Sequence, residues 1–297
     1  MEPQEIAKWK KAGEMTALMM NKAIALTKPG VSLIKISEEL EKEAEKLKVK
    51  WAFPVDFSIN EMAAHVTTLH DDKAVAEGLL KIDLGVCVDG YIADMAKTID
   101  LTPDKKYSAL ISASSDALNE AIKKIKYGVE IREIGKTIHD TIIKKGFSPI
   151  RNLSGHELKR NILHAGITIP NYDNNNTAKL EEGIYAVEPF ATTGEGIVQD
   201  SKPSGSYMLK QIKPVRDAKT RQILQFIEKE YSTLPFSSRW IIKKFGLYSL
   251  MALKILEQNE IIHQFSQLVE KSRMPVSQSE HTILVEKNKV SVLTLLQ

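Results

Sequence analysis

Five residues of this chain could share one piece of chemistry: Asp83, Asp94, His156, Glu188 and Glu280. The first two sit in Lys81-Ile-Asp83-Leu-Gly85-Val-Cys87-Val-Asp89-Gly90-Tyr-Ile-Ala-Asp94-Met-Ala-Lys97, where two β-rich runs flank Asp89-Gly90. Asp-Gly is a strong signal for a two-residue hairpin loop, because a type I′ turn needs positive φ at both positions. With that loop, Val88 faces Tyr91, Asp83 faces Ala96 and Asp94 faces Gly85. Asp83 and Asp94 then project from one face as diagonal neighbours, about 7–8 Å apart at the backbone. Gly85 is expected to leave open space beside Asp94, while Ile82, Leu84, Val86 and Val88 form a core face. Two carboxylates on a largely buried hairpin repel each other and are costly to desolvate. A shared metal cation would neutralise them. The alternative is a turn-capping Asp94 and an Asp83 paired with a lysine such as Lys97.

Three shorter signals add donors. Gly155-His156 follows a loop and enters a strand; a lone histidine there is more often structural than a ligand. Tyr185-Ala-Val-Glu188-Pro189-Phe190 places one carboxylate in an apolar strand, and Pro189 favours an extended Glu188. An unpaired buried charge is disfavoured, so such a glutamate calls for a partner. Gln278-Ser-Glu280-His281-Thr-Ile-Leu-Val repeats the pattern. Cys87 shares the face of Asp83 but reads as a small packing residue. It is the single cysteine, so no internal disulfide can form, and a reducing, cytoplasmic setting is expected. No Gly-x-Ser-x-Gly elbow supports a serine nucleophile.

The elements that must position these residues are legible in outline. Residues 4–28 and 33–48 read as helices separated by Lys28-Pro29-Gly30, the second with Leu33, Ile36, Leu40 and Ala44 on one stripe. A strand-like stretch follows near Trp51–Ile59. Asn21–Val31 can then be laid on Asn119–Val129 at a constant offset of 98 residues, with Ile36 falling on Ile134. Chance similarity of two amphipathic hairpins competes with two related halves, which would place a site at their interface. Helices are expected at Ala218–Lys229, Ser237–Phe245 and Tyr248–Gln258, and a strand pair at 280–285 and 290–296. The helical block, residues 206–273, therefore reads as an insertion within a domain of residues 1–205 and 274–297. A net charge of +3 with mixed signs does not suggest a nucleic-acid binder, and no apolar run reaches membrane-span length. The polar, acidic start of the chain does not resemble a signal peptide.

These residues and their flanks resemble the methionine aminopeptidases, specifically the type II branch, over nearly the whole chain. The carriers are Ala63-Ala64-His65, the Asp83–Asp94 hairpin, Gly155-His156, Leu163-His164-Ala165-Gly166, Ala186-Val187-Glu188-Pro189-Phe190, Leu234-Pro235-Phe236-Ser237-Ser238-Arg239-Trp240 and Glu280-His281-Thr282. The resemblance implies an α+β pita-bread fold of two pseudo-symmetric halves. It also implies a winged-helix-like helical subdomain between Glu188 and Glu280, bordering the cleft, in a compact archaeal-like form. Its activity would be hydrolysis of the initiator methionine from nascent polypeptides with a small second residue, with transient ribosome association, by a monomer.

Carried over residue by residue, Asp83 would chelate one divalent metal, Asp94 and Glu280 would bridge two, and His156 and Glu188 would complete the second. Four carboxylates balance two dications, and oxygen-rich ligation favours manganese, iron(II) or cobalt, with zinc or nickel as further occupants. A metal-bridging water or hydroxide would attack. Glu188 resembles the proton shuttle, His164 the residue on the scissile carbonyl oxygen, and His65 the residue near the scissile nitrogen. Phe53, Leu163 and Phe190 match methionine-pocket positions. Two readings compete: another pita-bread peptidase such as prolidase or aminopeptidase P, and a non-catalytic member of the fold that binds partners at the ribosome or on RNA.

Overall fold

The computed structural model describes residues 2–295. The chain opens with helices α1 (Pro3–Leu26) and α2 (Leu33–Leu47), then short strands β1 (Lys50–Trp51), β2 (Asp56–Ile59) and β3 (Met62–Ala64). The hairpin β4 (Leu79–Val88) and β5 (Tyr91–Asp100) leads to α3 (Ser108–Lys124) and α4 (Ile131–Lys144). Strands β6 (Ser148–Pro149), β7 (Ser154–Leu158), β8 (Thr168–Pro170), β9 (Gly183–Val187), β10 (Phe190–Thr192) and β11 (Val198–Leu209) follow. Then come α5 (Ala218–Glu230), β12 (Phe236–Ser237), α6 (Ser238–Phe245), α7 (Ser249–Gln258), β13 (Ile262–Glu270), β14 (Val276–Gln278), β15 (His281–Glu286) and β16 (Lys289–Val292). The expected end of the last strand at Leu296 lies outside the described residues.

The chain is built twice over. In the first half α1 and α2 cover a sheet in which β4 pairs with β1, β2 and β5. In the second, α3 and α4 cover a sheet ordered β16-β15-β9-β7-β8. The 98-residue offset read from the sequence holds in three dimensions: α1 ends at Leu26 and α3 at Lys124, and α2 starts at Leu33 and α4 at Ile131. Gly30 and Gly128 turn the chain between the paired helices at φ 82° and 78°, a backbone shape that costs a Cβ-bearing residue dearly. The matching hydrogen bonds recur. Gly30 N–H donates to Ala76 O and Gly128 N–H to Leu180 O, each at 2.8 Å, and the amides of Ala76 and Leu180 answer to Val31 O and Val129 O.

The helices form where amphipathic spacing demands it. Leu33, Ile36, Leu40 and Ala44 are all buried on one stripe of α2, as are Ile131, Ile134, Ile138 and Ile142 on α4. A separate cluster joins the halves, with Trp9, Cys87, Ile92, Leu158, Ile184 and Leu284 among its members. Cys87 is a packing residue there. The three expected later helices are present and share a core of their own with Ile223, Ile227, Phe236, Ile241, Leu253 and Leu256. The block is less helical than its pattern suggests, because Val198–Leu209 and Ile262–Glu270 pair as a long antiparallel ribbon that runs back to β3.

Helix α1 is held against the C-terminal segment by a close approach. A Cβ on Gly13 would lie 2.3 Å from the backbone oxygen of Leu293. Gly13→Ala should therefore lower the urea or thermal midpoint. Overpacking against backbone costs about 1–3 kcal/mol, which outweighs the ~1 kcal/mol that alanine gains in helix propensity. An unchanged or raised midpoint would refute that packing.

Candidate metal centre

The β4–β5 register is the one the Asp-Gly loop dictates. Val88 pairs with Tyr91, Asp83 with Ala96, and Gly85 with Asp94, with Asp89 and Gly90 at φ 53° and 89°. Asp83 and Asp94 therefore share the face turned toward the second half. Lys97 pairs with Ile82, so it stands on the opposite face and cannot neutralise Asp83. Lys81 is on the face of Asp83 and fully buried, but its Nζ donates to the carbonyls of Asn60 at 2.9 Å and Val276 at 2.7 Å. Burial pushes its pKa down to about 7. The space beside Gly85 is not open: a Cβ there would meet the Phe53 ring at 2.5 Å. Phe53 fills it because residues 52–55 break the expected strand and fold over β4, with Ala52 N–H bonded to Gly85 O.

The second half supplies the other donors from one strand and two strand ends. His156 lies within β7, whereas Glu188 follows β9 directly and Glu280 fills the gap between β14 and β15. The two glutamates thus stand at interruptions in pairing rather than inside strands. Thr282, fully buried, sews the halves together at this point. Its hydroxyl accepts from Asp94 N–H at 2.7 Å and donates to Asp94 O at 2.8 Å, while Glu280 N–H donates to Ala96 O at 3.0 Å. Backbone contacts thereby bring the Asp94 and Glu280 side chains to the same place.

All five residues line one cavity of about 460 Å³, together with His65, His164, Phe53, Leu163 and Phe190. His156 Nε2 lies 3.8 Å from both Asp94 Oδ2 and Glu188 Oε1. Candidate ligand atoms of Asp94, His156 and Glu280 all lie within 4.8 Å of one another. Asp83 Oδ1, Asp94 Oδ1 and both oxygens of Glu280 are buried with no hydrogen-bond partner. Acceptors this deep are normally satisfied, and such a donor set fits a hard divalent cation. Burial, then repulsion from Asp83 and neighbouring acids, holds Asp94, Glu188 and Glu280 well above the usual carboxylate range. Burial lifts Asp83 to about 6. Burial, with His164 adding to it, takes His156 down to about 3, which leaves it neutral with a lone pair to give.

His164 stacks edge-on to His156, ring centroids 4.4 Å apart, with its own ring exposed at the mouth. His65 Nδ1 is 3.3 Å from Ser266 O. Phe53 and Leu163 present cavity walls, whereas Phe190 is 1% exposed and packs chiefly in a core cluster with Ile150 and Val276. Two residues of the site were missed in the sequence. Gln278 Nε2 donates to Asp83 Oδ2 at 3.0 Å and is 3.4 Å from Glu188 Oε2; a neutral amide leaves no sequence signal. Asp56 also lines the cavity. It could have been found by the rule that drew attention to Glu188, being an acid in the apolar run Phe53-Pro-Val-Asp56-Phe.

A model of metallopeptidase family M24 matches residues 7–228, and the chain belongs to that family. A methionine aminopeptidase of Pyrococcus horikoshii is 43% identical over 295 residues, 98% of this chain and 99% of the relative. Within the family the chain therefore falls with the methionine aminopeptidases. Among solved structures, a thermophilic Arx1 superposes at TM-score 0.84 and 17% identity, covering 99% of this chain and 91% of that one. A methionine aminopeptidase of Thermotoga maritima does so at 0.71 and 23%, covering 100% and 98%. The two-halved architecture is the pita-bread fold, and membership of this metallopeptidase family implies binding of divalent metal.

The shifted carboxyls make a signed prediction for protein stripped with a chelator. A folded-state pKa raised above its unfolded value means the folded protein binds the extra proton, so stability is lost as pH rises above about 4 toward the folded value. Glu280→Gln removes that loss. Stripped Glu280→Gln should be more stable than stripped wild type at pH 8 in urea titrations, the gap closing by about pH 4. A gap of opposite sign at pH 8 would contradict the buried-charge assignment.

Proposed function

We propose that this chain is a dinuclear aminopeptidase that hydrolyses methionine from the amino terminus of polypeptides with a small second residue. The observation that carries the reading is the set of unpartnered carboxylate oxygens at the floor of a cavity with apolar walls. In this reading Asp83 would hold one cation, His156 and Glu188 the other, and Asp94 and Glu280 would be shared by both. Four carboxylates balance two dications; manganese, iron(II) and cobalt suit the oxygen-rich set, with zinc or nickel as alternatives. When bound, the pair supplies Lewis acidity and lowers the pKa of water.

The chain's own residues do the rest. Gln278 orients Asp83 and Glu188 through its amide. Glu188 takes up the proton released as water adds to the scissile carbonyl and returns it to the leaving nitrogen. The His164 imidazole N–H donates to the carbonyl oxygen as negative charge develops there. His65 stands beside the leaving peptide. Phe53 and Leu163, with the edge of Phe190, wall the methionine pocket. Residues 206–273 act as the inserted subdomain bordering the cleft, a reading supported by Ser206, Pro235 and Phe265 in the cavity lining.

The test is release of methionine from Met-Ala-Ser by enzyme reconstituted with cobalt or manganese, against Xaa-Pro peptides. Methionine release without Xaa-Pro cleavage is expected, and intact Met peptides would refute the reading. Asp94→Asn should abolish measurable turnover; full activity would remove its bridging role. His164→Ala should lower kcat about 10²–10³-fold with little change in KM. A change confined to KM would move His164 from transition-state stabilisation to substrate binding.

A further inference from the structure

Asp56 is a fifth carboxylate in the cavity, and the scheme above gives it nothing to do. In the β2–β4 pairing it lies directly opposite Asp83, so the two side chains share a face with Cβ atoms about 4.5–5.5 Å apart. Asp56 is only 6% exposed, and what it meets is the cavity. One oxygen, Oδ2, accepts the backbone N–H of His65 at 3.1 Å. Among the described residues no lysine or arginine pairs with it, and Oδ1 is left for whatever enters.

The charge count then decides. In the reading above the four carboxylates of Asp83, Asp94, Glu188 and Glu280 match two divalent cations. Ionised, Asp56 would be one negative charge in excess, in a setting where an uncompensated carboxylate is costly. An exopeptidase that works from the amino terminus receives substrates carrying one obligatory positive charge, the α-ammonium group. Phe53, three residues earlier, faces the same cavity beside Gly85. One short segment thus presents an apolar ring and a carboxylate, the complements of a methionine side chain and of the free amine on the same residue. His65, which hangs on Asp56 through its backbone and sits in the left-handed region at φ 61°, is placed by the same carboxylate.

We propose that Asp56 receives the α-ammonium group of the substrate and so selects for a free amino terminus; this rests on the aminopeptidase reading above. Asp56→Asn is the informative variant, because its amide oxygen can still accept the His65 N–H; Asp56→Ser is the second, should the first fold poorly. In full-length, metal-loaded enzyme, KM for Met-Ala-Ser should rise about tenfold to a hundredfold with kcat changed only a few-fold, the range expected for losing a charge-assisted contact. Calorimetry with methioninol should show the same loss of affinity. The deamino analogue of methioninol should bind wild type and variant alike, and cation affinity, titrated separately with manganese, should be unchanged. Undiminished methioninol binding in the variant would overturn the proposal, and so would a loss of manganese affinity, which would make Asp56 a metal ligand. Wild type that cleaves no Met peptide and binds neither compound would remove the aminopeptidase reading and this inference with it.

Discussion

Repulsion among acids governs this molecule. Two unit charges 4 Å apart interact by about 4 kcal/mol at an effective dielectric of 20, and here several carboxylates line one cavity. Left ionised and without cations they would push β5 away from β15. The scaffold resists with contacts that do not depend on the charges. The Thr282 hydroxyl both accepts from and donates to the backbone of Asp94, and Glu280 is anchored by its own amide to Ala96. The acidic cluster is therefore preorganised by neutral hydrogen bonds, with its carboxylates gathered before any cation arrives.

Two similar halves suit such an arrangement. Each offers a sheet with helices on its far side, so each has one sheet face left to meet the other. The hairpin contributes Asp83 and Asp94 from that face, and the second half contributes His156 from within β7 and Glu188 and Glu280 from strand ends. Strand ends and interruptions leave room for a side chain to turn toward a ligand, which is why the two glutamates fall where ladder pairing stops. The ribbon of β11 and β13, with its helices, closes the cavity from a third side through Ser206 and Phe265.

Much of this was legible because the relevant physics is local. A two-residue Asp-Gly loop fixes every cross-strand pair in β4–β5, and so the shared face of Asp83 and Asp94. Helical stripes gave the helices to within a residue or two, and the repeat at Gly30 and Gly128 announced the halves. What was hidden depends on distant pairing. Nothing near residue 280 says that β15 will pair with β9, or that Thr282 will reach Asp94. The open space expected beside Gly85 belongs to Phe53, which arrives from a break in a strand that the sequence suggested was continuous. Gln278 is invisible because an amide inside a polar-apolar run carries no cue. Asp56 was visible, since it repeats the pattern that marked Glu188, but it stood outside the motifs that drew attention.

The reciprocal bond between Thr282 and Asp94 also sets an order of events during synthesis. Asp94 is made early and Thr282 much later, after the chain has passed through α5, α6 and α7. Until that late strand exists, Asp94 lacks the partner that holds its backbone, and the cavity lacks Glu280. A growing chain that holds only its first helix pair and hairpin has no finished cluster with which to capture a cation or cut a neighbour. Reactivity is thus withheld from the nascent protein by topology alone, and it switches on when the two halves close.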